Sequence, residues 1–293
     1  MPLPTDTTSP EFIAARNAAM ARYDSLRFMD AGDPTGPCGH AYGLQVSMRL
    51  TTNYRSTWRN ESMDVKPSEV MECLRDAGVR NWCLMGLHGY VGFLPMPRAT
   101  QDVDVMVPHN QKKKAVQAIS GRWPQLERKE FPPVVRFYDP GERASRAVVE
   151  LSQTVLARGN NATAIEKRAS RPQGSVKRCR DGNTVPVINL MLPWSPFQET
   201  ILKDHVIIDP DTLDRHPTLE AAIVSKYAAL VSPHRVFDKK QQDATDLGRL
   251  IRNTHPDYDV AAIQSLAGEV WEGGAKEILD FIACALNEKP FPV

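Results

Sequence analysis

The stretch Cys83–Val107, CLMGLHGYVGFLPMPRATQDVDVMV, decides how this chain folds. It reads as a buried strand over Val79–Met85, a turn at Gly86, a short apolar helix, an Arg98-x-Thr100 approach, and a second strand carrying Asp102-Val103-Asp104. Side chains alternate faces along a strand. Asp102 and Asp104 therefore leave one face about 6.6 Å apart along the backbone, while Val103, Val105 and Val107 turn to the core. Two carboxylates on one face repel each other unless a cation lies between them, and hard divalent ions take oxygen ligands of this kind. A bare Asp-x-Asp is most often a strand wet on one face, so the flanking residues have to carry the argument.

Gly86-Leu87 followed by Arg98-Ala99-Thr100-Gln101-Asp102-Val103-Asp104-Val105 resembles the signature of the nucleotidyltransferase superfamily: a glycine pair, a spacer, then R-x-T-x-D-h-D-h. It is most similar to the AbiEii-like, type IV toxin branch, over about Pro67 to Arg252. The resemblance implies an α/β fold, a nucleotidyltransferase-like mixed sheet core with a C-terminal helical domain. It implies that the Gly86-Leu87 turn faces a triphosphate and that Asp102 and Asp104 hold Mg2+, with Mn2+ as a substitute. The family has Gly-Gly or Gly-Ser where this chain has Gly86-Leu87. A glycine turn feeding a helix still offers backbone N–H groups and a positive dipole end to an anion.

The same resemblance assigns nucleotide binding to Gly86, Leu87, Arg98, Thr100 and Lys226, the last from the segment Ser225-Lys226-Tyr227; Arg98 could instead pair with Asp102, and Thr100 could merely start the strand. Lys226 is a cation on an otherwise apolar helix face, where burial is expensive unless an anion meets it; the alternative is a side chain reaching out to solvent. Arg235, Lys239, Asp243 and Asp246 read as structural, with Lys239 and Asp243 spaced as an i, i+4 pair. In the superfamily a third carboxylate stands on a neighbouring strand, and two positions compete for its place. Glu150, flanked by Val149 and Leu151, is ionisable and is favoured, because general base catalysis needs a titrating group. Asn189, in Val187-Ile188-Asn189-Leu190, has by family resemblance the better spacing to the C-terminal helices, but an amide accepts no proton. His88 and His109 flank the motif and read as ordinary polar residues, since magnesium prefers oxygen.

The implied reaction moves a nucleoside monophosphate from an NTP, ATP among them, to an acceptor hydroxyl on tRNA, protein or a small molecule. Two rivals stand beside it: a weakly active toxin or scaffold protein with an antitoxin partner, and a small-molecule phosphotransferase.

Composition limits the rest. A chain of 293 residues, 42% hydrophobic and 24% charged, has the balance of an ordinary globular protein, and a net charge of +1 leaves any anion binding local. Its five cysteines, Cys38, Cys73, Cys83, Cys179 and Cys284, are scattered and never at Cys-x-x-Cys spacing, which argues against a zinc site or disulfide framework and fits a reducing cytoplasm. The N-terminus lacks a basic and apolar leader pattern, and no apolar run approaches a membrane span.

Three segments follow: an N-terminal extension over 1–62, the α/β core over 63–205 and a helical domain over 206–293. In the first, Glu11–Phe28 has helical character, and the Gly- and Pro-rich Ala31–Gly43 is expected to be irregular. In the core, Pro67 and Gly78 bracket a helix, and Asn110 stands where it could cap another over Lys112–Ser120. Strands are expected over Pro132–Tyr138 and Arg146–Ser152, around Asp139-Pro140-Gly141, and over Thr184–Leu192. Arg158–Asp181, polar and basic, reads as a loop. Ser195-Pro196-Phe197-Gln198 resembles a capping box. Four amphipathic helices then run to the end.

Overall fold

The computed structural model describes residues 37–58, 63–94, 99–100, 102–140, 186–210 and 212–292. Their contacts gather into two compact units, one of residues 50–88 and 99–217, the other of residues 37–49, 89–94 and 218–292.

The first unit is built on a five-stranded mixed sheet. Its strands are β1 (Cys83–Met85), β2 (Val103–Met106), β3 (Glu127–Phe131), β4 (Val134–Tyr138) and β5 (Ile188–Met191), in the spatial order β1-β2-β5-β4-β3. Only β2 and β5 run parallel; the other pairs are antiparallel. One face is apolar, with Leu84, Val105, Leu190 and Val135 wholly buried. The alternation read from the sequence puts Val103, Val105 and Val107 in the core, as found.

The helices of this unit follow local rules. Pro67 opens α2 (Pro67–Asp76), which buries Val70, Met71, Cys73 and Leu74. It ends where Gly78 takes φ +65° and the Val79 N–H reaches back to the Leu74 carbonyl at 2.9 Å. A second left-handed residue, Asn81, follows, so β1 begins only at Cys83 rather than at Val79. Helix α4 (Lys112–Arg122) buries Ala115, Val116 and Ile119. Asn110 does not cap it: it lies in a 3-10 turn, His109–Gln111, and Gln111 takes the cap position without a side-chain bond. The lysine run is tied down locally, Lys112 to Glu130 and Lys114 to the Gly78 carbonyl. In α5 (Pro196–Asp204), half of the expected capping box forms differently. Gln198 Oε1 accepts from the Trp194 N–H at 2.9 Å, while the buried Ser195 hydroxyl finds no partner.

The strand expected over Pro132–Tyr138 is found as β4, Val134–Tyr138. It pairs on one side with the preceding Glu127–Phe131, across Pro132-Pro133, and on the other with β5. β3 reads ERKEF and is largely exposed along its length as an edge strand, so it carries no apolar alternation to betray it. The expected Arg146–Ser152 strand lies outside the described residues. A small hairpin, β6 (Val206–Ile208) with β7 (Arg215–Pro217), was not foreseen.

In the second unit, α6 (Leu219–Val231), α7 (Phe237–Thr254), α8 (Val260–Gly268) and α9 (Gly274–Leu286) pack around Ile223, Tyr227, Leu247, Ile251, Ile263 and Phe281. Tyr227 meets Phe281 edge to face at 5.2 Å between ring centroids. Of the stretch expected to be irregular, residues 31–36 lie outside the described residues, and Pro37–Gly43 instead opens a helix, α1 (Pro37–Trp58). Its glycine has a packing reason. A Cβ at Gly43 would touch the Val91 carbonyl at 3.0 Å, and one at Gly92 would lie 2.6 Å from the His40 Cα, so the two backbones approach where a side chain would part them.

Candidate functional site

The strand pair β1–β2 puts Met85 opposite Asp104, and the pair β2–β5 puts Asp104 opposite Asn189. The chain leaves β1 directly into the short helix α3 (Gly86–Tyr90), and Gly86 makes the turn with φ +59°. The turn hugs the carboxylate: a Cβ at Gly86 would fall 2.1 Å from Asp104 Oδ2 and 2.9 Å from its Cγ. Glycine is required here twice over, for the left-handed backbone and for the space.

Asp102 immediately precedes β2, whose ladder begins at the Val103 N–H to Val187 carbonyl bond; it was expected inside the strand. It still faces the same way as Asp104, because one amide serves both. Asn189 Nδ2 donates to Asp102 Oδ2 at 3.1 Å and to Asp104 Oδ1 at 2.8 Å. The other Asp102 oxygen accepts from the Thr100 hydroxyl at 2.9 Å. Thr100 is itself fixed by a reciprocal pair of bonds with Thr51: its N–H to the Thr51 hydroxyl at 3.2 Å, and that hydroxyl to its carbonyl at 3.1 Å. Ionised carboxylates only accept, so the amide must turn its NH2 to them, which leaves Asn189 Oδ1 buried and without a partner.

The same sheet row runs on. Arg136 stands opposite Asn189, and Lys129 opposite Arg136. Directly paired residues share a face, and strands lie about 4.8 Å apart, so the Arg136 backbone is about 10 Å from that of Asp104. The guanidinium stacks over Phe131 at 5.5 Å and the Lys129 ammonium over Tyr138 at 5.4 Å. One face thus carries, in order, two carboxylates, an amide and two cations. Arg136 and Lys129 drew no notice in the sequence because the residues that align them with the motif are far away in the chain.

The remaining sequence candidates are placed as follows. Leu87 is buried in α3, and Thr100 acts on Asp102 as described. Arg98 and Glu150 lie outside the described residues. His109 bonds the Pro193 carbonyl at 2.7 Å, and His88 is buried.

Lys226 is neither solvated nor left with an unmet charge. Its Nζ lies 2.8 Å from Asp243 and 2.9 Å from Asp246, over the Tyr90 ring at 4.8 Å, with 12% of the side chain exposed. Arg235 holds the second Asp243 oxygen at 2.7 Å, and the Tyr90 hydroxyl donates to Asp246 at 2.9 Å. Burial works against the ammonium, but Tyr90, Asp246 and Asp243 outweigh it and its pKa is raised. Asp243 takes Lys226 and Arg235 as partners, both more than four residues distant, and no bond to Lys239 is formed there.

Among the described residues no three His, Cys, Asp or Glu side chains gather as a metal-ligand set. The oxygen chemistry of Asp102 and Asp104 nevertheless suits Mg2+, which is often held by one or two carboxylates together with substrate phosphates and waters. Asn189 would lend an oxygen only by turning its amide over.

Compared with known proteins, the chain matches no family model and no curated protein. It is similar to a solved structure described as an antigenic nucleotidyltransferase-like protein from Paracoccidioides brasiliensis, with 13% identity and a TM-score of 0.38, over 76% of this chain and 90% of that one. Likeness at that level assigns no residue and no activity here. No helix among the described residues is long and apolar enough to cross a membrane.

Proposed function

We propose that the chain is a nucleotidyltransferase that uses Asp102 and Asp104 to bind Mg2+ and transfers a nucleoside monophosphate from an NTP to an acceptor hydroxyl. One observation carries the reading: two carboxylates share one sheet face, with a left-handed glycine turn packed against one of them. Metal bound there would neutralise charge on the phosphates and stabilise in-line displacement. The protein's own part is to hold the carboxylates rigidly, Asp102 through Thr100 and Asp104 through Gly86. Arg136 and Lys129 on the same face supply positive charge for a polyphosphate. Arg98 takes a phosphate and Glu150 the acceptor proton. Lys226 serves as a buried brace for its own helices rather than as a phosphate ligand.

Asn189 favours a second reading. An amide beside the carboxylate pair accepts no proton, as would suit a nucleotidyltransferase-like protein of low turnover that acts through a bound partner such as an antitoxin. Incubation with Mg2+ and NTPs labelled at the α- or γ-phosphate separates the readings. Transfer of α-label with pyrophosphate release supports nucleotidyl transfer. Transfer of γ-label replaces it with phosphotransfer, and transfer of neither label to an RNA, protein or small-molecule acceptor favours the partner-bound protein.

A further inference from the structure

Neutral donors already hold much of the carboxylate pair. At least three of its oxygens, both of Asp102 and Asp104 Oδ1, accept bonds from neutral donors. Two of these bonds come from one nitrogen. Asn189 Nδ2 reaches Asp102 Oδ2 and Asp104 Oδ1 together, so it occupies the position between the carboxylates that a bridging ion would take. The orientation has a cost, since Asn189 Oδ1 is left buried with no partner. The register fixes the arrangement, because Asn189 and Asp104 are directly paired in adjacent parallel strands.

From this geometry we infer that the Asn189 amide is an internal competitor for the cation: it holds Asp102 and Asp104 in place when no metal is present and must release them for a metal to bind. The inference rests on the proposal that these carboxylates bind metal. An N–H donor carries partial positive charge, offsets the carboxylate repulsion and blocks the approach of an ion to the same two oxygens. Free Mg2+ or Mn2+ then binds weakly, and phosphate oxygens arriving with a nucleotide tip the balance toward the metal-bound form. Asn189 is thus a positioning residue that sets cation affinity.

The test titrates the full chain with Mn2+ alone, following free ion by electron paramagnetic resonance, for native protein, Asn189→Ala, Asn189→Asp and Asp104→Asn. The competitor role predicts that Asn189→Ala binds Mn2+ at least threefold more tightly than native protein and Asn189→Asp at least tenfold more tightly. It also predicts that both melt at lower temperature than native protein when metal is absent, and that Mn2+ restores the loss. An amide acting as a ligand would instead make Asn189→Ala bind more weakly, and an amide that only packs the strand would leave affinity unchanged; either result overturns the inference while leaving the metal site intact. If Asn189→Ala fails to fold, Asn189→Asp decides alone, and affinity equal to native overturns the inference. Binding undiminished in Asp104→Asn, or no binding by Asn189→Asp at millimolar Mn2+, removes the metal reading itself.

Discussion

Replacing Gly86 by alanine should damage the carboxylate site by an amount that the geometry bounds. The left-handed backbone, at φ +59°, costs an L-residue about 1–2 kcal/mol. The new Cβ would meet Asp104 Oδ2 at 2.1 Å and its Cγ at 2.9 Å, so the carboxylate must swing away and lose its 2.8 Å bond from Asn189. A hydrogen bond to a charged group contributes about 1.5–3 kcal/mol. The expected loss is therefore about 2.5–5 kcal/mol in urea unfolding of the metal-free protein. Two further glycines calibrate the measurement. Gly78 has a similar φ of +65°, but its Cβ would meet only the flexible Lys114 Nζ at 3.1 Å, so Gly78→Ala should show the backbone strain alone. Gly121 lies in α4 with nothing within 4 Å, so Gly121→Ala should stabilise by about 0.5–1 kcal/mol. If Gly86→Ala is no worse than Gly78→Ala, the close packing of turn against carboxylate does not hold the site.

Removing the Lys226 charge in Lys226→Met leaves Asp246 and part of Asp243 buried without their cation, and should cost about 3–5 kcal/mol by denaturant unfolding at pH 7. Because the folded pKa of Lys226 is raised above its ordinary 10.5, this contribution is complete below pH 10 and fades only above it, so the gap between native protein and variant should stay constant from pH 7 to 9.5. Mg2+ with an NTP should raise the melting temperature of the native protein, by about 2.7 kcal/mol of stability at 100 times the dissociation constant, and Arg136→Ala should reduce that rise. Asp102→Asn should abolish transfer while leaving the fold intact, as read by circular dichroism.

The sequence made the motif's logic legible because strand alternation and a glycine turn are local rules. Val103 and Val105 had to face the core, so Asp102 and Asp104 had to share the other face, and Gly86 could take the left-handed turn between the strands. Asn189 could be named as a contender by the family resemblance, but its two bonds depend on a parallel pairing between segments 85 residues apart, which no local pattern shows. The Arg136 and Lys129 row failed to show for the same reason. Pro37–Gly43 misled because a glycine marks close packing as well as turns: Gly43 lies within a helix, pressed on Val91. Lys226 misled differently. Helical periodicity correctly implied that a buried ammonium needs anions, but the anions are Asp243 and Asp246 of the same chain, 17 and 20 positions on.

Magnesium-dependent pyrophosphate release from an NTP, in native protein and in Asp104→Asn, tests the central claim most directly. The account predicts release by the native chain that requires the metal and falls by at least a hundredfold in Asp104→Asn. Release that persists in the variant, or that proceeds equally in chelator, would contradict it.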